Sequence, residues 1–280
     1  MKKEDTRHKI ALIGFPWDNH SSFMRGSSLA PVIIREAFEC KSTNKWSESG
    51  EDLGKQDLIL DVGDIDLSSN KDGFNKIKET IRRVLKYDIP IISLGGDHSI
   101  TYPIIKGFHE KYKSLQILHF DAHPDLYDEL NGDRYSHGSP FARIMEERLV
   151  DRLVQVGIRT MNGHQRDQAD RFRVEVYEMR DLKGYRKLKF NKPLYISFDI
   201  DVLDPAFAPG VSHFEPAGMT TREAVDMIQG VVAPEIVGAD IVEYNPKRDI
   251  NKVTAMVCAK ILKEIISKML EIKSNKNRRF

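Results

Sequence analysis

The stretch Tyr195–Pro205, YISFDIDVLDP, decides how the chain folds. Tyr195, Ile196, Phe198, Ile200, Val202 and Leu203 describe a strand of the kind buried on both faces of a parallel sheet. Asp199 and Asp201 lie inside that run, and a buried carboxylate costs several kcal/mol unless it is paired or bound to a cation. With a side-chain period of two, both aspartates point the same way, with Phe198 and Ile200 on the other side. Two readings are open: the pair caps backbone N–H groups at the strand end, or it holds a cation there.

Outward from this strand the same grammar repeats. KIALIGFP (9–16), DLILDVGDI (57–65), IPIISLGGDHS (89–99), LQILHFDAHPD (115–125), RLVQVGIR (152–159) and EIVGADIVEYNP (235–246) are further strand candidates. Between and after them SLAPVIIREAFE, DGFNKIKETIRRVLKYD, SITYPIIKGFHEKY, FARIMEERL, TTREAVDMIQGVV and VTAMVCAKILKEIISKML carry apolar residues at helical spacing. Strand-then-helix alternation predicts a mostly parallel α/β sheet covered by helices on both faces, with polar residues collecting at the strand C-termini. One domain over residues 1–280 accommodates it. Residues 41–57 read as a polar surface loop around an exposed Trp46. Residues 126–140 form a second loop, of a length that usually serves a function. The basic tail from Lys273 to Phe280 reads as a solvated end.

Composition narrows the class. Forty-three basic residues face forty-two acidic ones, a net charge of +1, which argues against a general nucleic-acid surface. Cys40 and Cys258 are too few and too far apart for a disulfide scaffold, which favours a reducing compartment. The N-terminal apolar run is a first strand in length rather than a signal peptide. No stretch approaches the roughly 18 apolar residues of a membrane span. The expectation is a soluble cytoplasmic protein that meets neither nucleic acid nor membrane.

Ionisable residues gather where the strands end: Asp97 and His98 in GGDHS, Asp121, His123 and Asp125 in DAHPD, Asp199 and Asp201 in FDIDVLDP, and Glu243 in VEYN. If its strand continued that far, Asp121, His123 and Asp125 would share one face. Oxygen ligands with a minority of imidazole suit a hard-to-borderline divalent ion, Mn(II) above all, with nickel or another ion open. Four aspartates and two histidines exceed what one ion needs and fit two ions about 3.5–4 Å apart. The buried carboxylates of the opening stretch are then ligands. Taken alone, GGDHS also reads as a glycine turn with a helix N-cap at Ser99. His8, His20, His109 and His164 are assigned surface or core roles. LGGDHS lacks the G-x-G-x-x-G of a dinucleotide loop.

In this order LGGDHS, DAHPD, SFDIDVLDPAFAPG and DIVEYNP resemble the ureohydrolases, the arginases, agmatinases and their relatives, and the resemblance runs from GFPWD to the terminal helix. It implies a three-layer α/β/α fold and a binuclear manganese centre. His98, Asp121, Asp125 and Asp199 would hold one ion and Asp121, His123, Asp199 and Asp201 the other, with Asp121 and Asp199 bridging. It implies hydrolysis of a guanidino C–N bond to urea and an amine, by a water that two ions activate. Glu243 would pair with the guanidinium and His137 would shuttle a proton to the leaving amine; Asp125 counts with them at the catalytic centre. A homotrimer or homohexamer is expected. The segment Tyr135–Gly138 is of the agmatinase type Y-x-H-G, and the arginase pattern S-G-N-x-H-G is absent. The expected substrate is therefore a small guanidino compound without an α-amino acid group, agmatine-like. VSHFEP departs from the agmatinase pattern, so a guanidino acid, guanidine, arginine or a formimino compound stays open. Arg134 facing the pocket would favour a carboxylate, acidic loop residues a cationic tail, and Tyr135 or Phe214 could close the pocket. A catalytically silent, metal-bound structural subunit is the rival from another class.

Overall fold

The computed structural model describes residues 10–55, 57–68, 72–182 and 187–277. In chain order the elements are β1 (Ile10–Gly14), α1 (Ala30–Phe38), β2 (Ile59–Asp64), α2 (Gly73–Leu85), β3 (Ile91–Leu94), α3 (Thr101–Lys111) and β4 (Gln116–Phe120). There follow α4 (Pro140–Glu146), β5 (Arg152–Ile158), α5 (Gly163–Phe172), β6 (Glu175–Glu178), β7 (Leu194–Asp199), α6 (Thr221–Gly230), β8 (Ile236–Val242) and α7 (Val253–Asn277). The strands form one sheet in the order β2–β1–β3–β8–β7–β4–β5–β6, and every pairing is parallel.

Side-chain alternation builds the two covering layers. On β7, Leu194, Ile196 and Phe198 pack with Ile34 of α1, Ile228 of α6 and Leu262 of α7. Tyr195 faces the other way, into a cluster with Ile81 of α2, Phe108 of α3 and Ile144 of α4. The result is a three-layer α/β/α arrangement, as expected. Each fully buried Leu, Ile or Phe contributes about 1.5–3 kcal/mol, so the central strands are held from both sides. Along that same second face the later positions turn polar: His119 on β4, Ser197 on β7 and Asp240 on β8 are all buried.

Two elements fall outside the apolar runs of the sequence. Helix α5 buries only Gln165, Gln168 and Ala169, so it shows no apolar stripe, and β6 is a half-buried edge strand. In its described residues the 41–57 segment is a surface loop with Trp46 exposed, yet Ser49 and Lys263 tie it to α7 through Ser267 and Thr43. Helix α7 runs on to Asn277, so the first part of the basic tail is helical rather than frayed, and residues 278–280 lie outside the described ones. His8 lies outside them as well.

Candidate metal centre and active site

The loops after β3, β8, β7 and β4, four neighbouring strands at the middle of the sheet, bring the ionisable residues together. They do so through turns rather than through continued strands. β4 stops at Phe120, and β7 stops at Asp199 with a single 3-10 turn over Ile200–Val202. The period-two argument therefore does not place His123, Asp125 or Asp201. Asp199 accepts a hydrogen bond from the Asp201 backbone N–H at 2.9 Å, and Asp201 accepts one from Ala122 N–H at 3.2 Å. The capping reading of the opening stretch therefore holds, and the second oxygen of each carboxylate, Oδ2, turns toward an imidazole.

The β3 loop is locked by close packing. A Cβ on Gly96 would lie 1.6 Å from the carbonyl oxygen of Trp17, so only glycine fits there. The cap of the following turn is Asp97, not Ser99: its carboxylate accepts from Ser99 N–H at 3.1 Å and from His20 N–H at 2.9 Å. His98 Nε2 lies 2.9 Å from Ser197 Oγ, whose proton goes to Asp240 at 2.7 Å. Ser197 therefore accepts from Nε2–H, and the Nδ1 lone pair of His98 points into the cluster.

That nitrogen lies 3.0 Å from Asp125 Oδ2, 3.1 Å from Asp199 Oδ2 and 3.2 Å from Asp121 Oδ2. None of the three contacts has hydrogen-bond geometry, so His98 Nδ1 is buried without a partner. Burial opposes a charge on His98, but the three carboxylates favour positive charge at this point, either the imidazole's own proton or a bound ion. Beside it, His123 Nδ1 is 3.1 Å from Asp201 Oδ2 and 3.4 Å from Asp121 Oδ1, so Asp121 faces both sets. Burial, then the neighbouring Asp201 and Asp121, push the Asp199 carboxyl well up; burial and Asp121 raise Asp125 to about 6. Carboxylates outnumber the protein's own positive charges here, and the donor set of four carboxylates and two imidazoles fits divalent ions.

His119 also lies within ligand distance of His98 and Asp121. The Gln155 amide N–H group donates to Pro124 O at 2.6 Å and to His119 Nδ1 at 3.0 Å. His119 must then carry its proton on Nε2, which donates to Asp121 Oδ2 at 2.8 Å. It supports a carboxylate and has no nitrogen left for an ion.

Glu243, at the end of β8 with a left-handed φ of 63°, turns its carboxylate back into the same space. Asp125 shares that strained conformation, with φ 50°. Glu243 Oε1 accepts from His98 N–H and pairs with His137 Nδ1, both at 2.9 Å. Burial opposes both charges of this pair, but mutual attraction outweighs it. His137 is pushed up to about 9, and Glu243 is held below the ordinary carboxyl range. His137 Nε2 meets Ser22 Oγ at 2.8 Å, and its backbone N–H donates to His20 O at 3.1 Å. Its loop is fastened from below by Arg143, which is buried and bonds Asp128 through both carbonyl and carboxylate.

A cavity of about 190 Å³ opens onto His123, Asp125, His137, Asp199, Asp201 and Glu243. The structure brings all eight anticipated residues, His98 and Asp121 included, to this one place. The acidic and arginine charges of the 126–140 loop do not line it as the sequence left open, whereas His213 of VSHFEP does, and Glu215 lies 3.8 Å from His123. Arg134 pairs with Asp128 at 3.0 Å and Glu146 at 3.1 Å, Tyr135 stacks on Tyr102, and Phe214 lies exposed under Arg248. His20 pairs with Asp133 Oδ2 at 2.6 Å, His109 with Leu149 O at 2.8 Å, and His164 accepts from Asp128 N–H. Sequence reasoning passed over His119, Gln155, Ser197 and Asp240. The signal was there: a polar residue inside an apolar run, two places before a ligand candidate in the first and third cases.

The arginase family model matches residues 8–267. Arginase 1, mitochondrial, of Arabidopsis thaliana is 44% identical over 276 residues, covering 92% of this chain and 80% of that protein. Agmatinase, mitochondrial, of Gallus gallus is 35% identical over 280 residues, covering 94% and 82%. The solved arginase from Medicago truncatula superposes with a TM-score of 0.88 at 42% identity, covering 94% of this chain and 87% of that one. The chain belongs to the arginase (ureohydrolase) family, whose members are metal-dependent hydrolases of guanidino C–N bonds.

Proposed function

We propose that this chain cleaves the guanidino C–N bond of a small guanidino compound to urea and an amine on a centre of two divalent ions, Mn(II) in first place. His98, Asp121, Asp125 and Asp199 would hold one ion and Asp121, His123, Asp199 and Asp201 the other. The observation that carries the reading is the Glu243–His137 pair opening on the same cavity as the carboxylate–imidazole cluster. When bound, the ions supply Lewis acidity that activates water near neutral pH. Glu243, kept anionic, binds the planar guanidinium through charge-assisted hydrogen bonds. His137 holds a proton that it passes to the leaving amine, and bound cations nearby would lower its affinity for that proton toward the working range. A silent subunit has no physical need for this full set.

Identity of 44% to a protein named arginase, against 35% to one named agmatinase, supports arginine as the substrate. The Tyr135–Gly138 segment, of agmatinase type, keeps agmatine as the second reading, in line with the substrate expected from sequence. The proposal keeps the protein cytoplasmic and a homotrimer or homohexamer. Among the described residues no helix is long and apolar enough to cross a membrane. Urea release by the manganese-loaded protein from arginine, agmatine, 4-guanidinobutyrate, 3-guanidinopropionate and guanidine tests the reaction. Urea from none of them contradicts it.

A further inference from the structure

We infer that Gln165, Thr160 and Tyr127 form a carboxylate subsite at the end of the cavity remote from Glu243, so that the substrate carries a carboxylate on its far end; the inference rests on the guanidino reading above. All three side chains line the same cavity as Glu243. Gln165 and Thr160 follow β5, whereas Glu243 follows β8, and β7 and β4 lie between these strands. Three strand spacings are roughly 14 Å from backbone to backbone. Less the reach of a side chain from each end, that leaves room for a short aliphatic chain.

Each of the three holds an unspent donor. Gln165 is 3% exposed, and its orientation is fixed by the capping box of α5: its Oε1 accepts from Asn162 N–H at 3.3 Å while its own N–H donates to Asn162 Oδ1 at 3.0 Å. Its Nε2 hydrogens have no protein acceptor among the described residues. Tyr127 Oη accepts from Asn162 Nδ2 at 3.0 Å, which leaves its hydroxyl proton to give. Thr160 spends its backbone N–H on Ala122 O, and its hydroxyl is free.

The Gln165 Nε2 group can only donate, so it matches a carboxylate and not an ammonium, and the two hydroxyls can each give a proton to the same carboxylate. The neighbouring acid, Asp128, is already held by Arg143 and Arg134. No lysine or arginine lines the cavity, so a carboxylate there is read by neutral groups. The shared chemistry covers arginine and simple guanidino acids alike.

Gln165→Glu is the discriminating variant, because glutamate keeps the capping box while its carboxylate replaces the donor. Thr160→Val, nearly isosteric, removes a second donor without touching α5. The readouts are kcat/KM for arginine, 4-guanidinobutyrate and agmatine, and calorimetric Kd for the product pair ornithine and putrescine, on the full manganese-loaded chain. Gln165→Glu should lower arginine and 4-guanidinobutyrate relative to agmatine by roughly tenfold or more, and ornithine relative to putrescine likewise, with a smaller shift in the same sense for Thr160→Val. Equal losses for both carboxylate substrates mark the carboxylate as the recognised group, and a loss for neither overturns the subsite. Unchanged ratios in both variants overturn it while leaving the guanidino reaction standing. No urea from any compound, with ornithine binding still weakened by Gln165→Glu, overturns the reaction and supports the subsite. No urea and no ornithine binding overturns both.

Discussion

Glu243 occupies a backbone conformation that a glutamate seldom adopts, and that strain aims its carboxylate at the cavity rather than at solvent. If its role is to bind the guanidinium, Glu243→Gln keeps the shape and removes the charge. Metal content should persist while kcat/KM falls roughly ten- to a hundredfold, the loss of one charge-assisted hydrogen bond. Wild-type kinetics in that variant would return Glu243 to a structural part. Its partner His137 gives a pH prediction for the metal-depleted protein. Folding raises His137 from 6.5 to about 9, so the stability it gains from Glu243 is fully present below pH 6.5 and lost as the pH rises to about 9. The difference in Tm between wild type and His137→Asn should shrink over that window. A difference that grows with pH would contradict the ion pair.

At the scale of elements, the 126–140 loop is clamped by one buried side chain in addition to its backbone bonds. Arg143 of α4 bonds Asp128 O and Asp128 Oδ1, both at 2.9 Å, and carries His137 into place indirectly. Arg143→Met should cost about 1–3 kcal/mol, because the carbonyl it serves is left unsatisfied while the exposed Asp128 carboxylate rehydrates. Amide exchange over the loop should accelerate and kcat should fall with metal content unchanged; protection equal to wild type would show that the loop holds without the clamp. The central strands were legible because burial on both faces leaves mostly apolar residues to read, as in LQILHF and YISF. The site residues were legible for the converse reason, since charges in such runs need an explanation. Helix α5 was not legible, because it buries Gln165 and Gln168 where an apolar stripe would stand. Gln165 was missed with it. The way His123, Asp125 and Asp201 converge was not legible either: turns after β4 and β7 place them, and those turns depend on contacts with distant backbone such as Ala122 N–H on Asp201.

Across the whole molecule, four adjacent strand ends gather buried carboxylates and imidazoles at one place, and the proposed ions would balance their charge. Asp121, which faces both halves of the cluster, and Asp199, proposed to bridge with it, should matter more than a ligand serving one half. Asp121→Ala or Asp199→Ala should therefore lose more metal than His98→Ala, as counted by elemental analysis. The most direct test joins that count to turnover: manganese per chain and urea release measured on one sample, before chelation, after it, and after manganese is restored. About two ions per chain are expected, with activity lost when they leave and regained when they return. Full activity in the metal-free protein would contradict the two-ion centre.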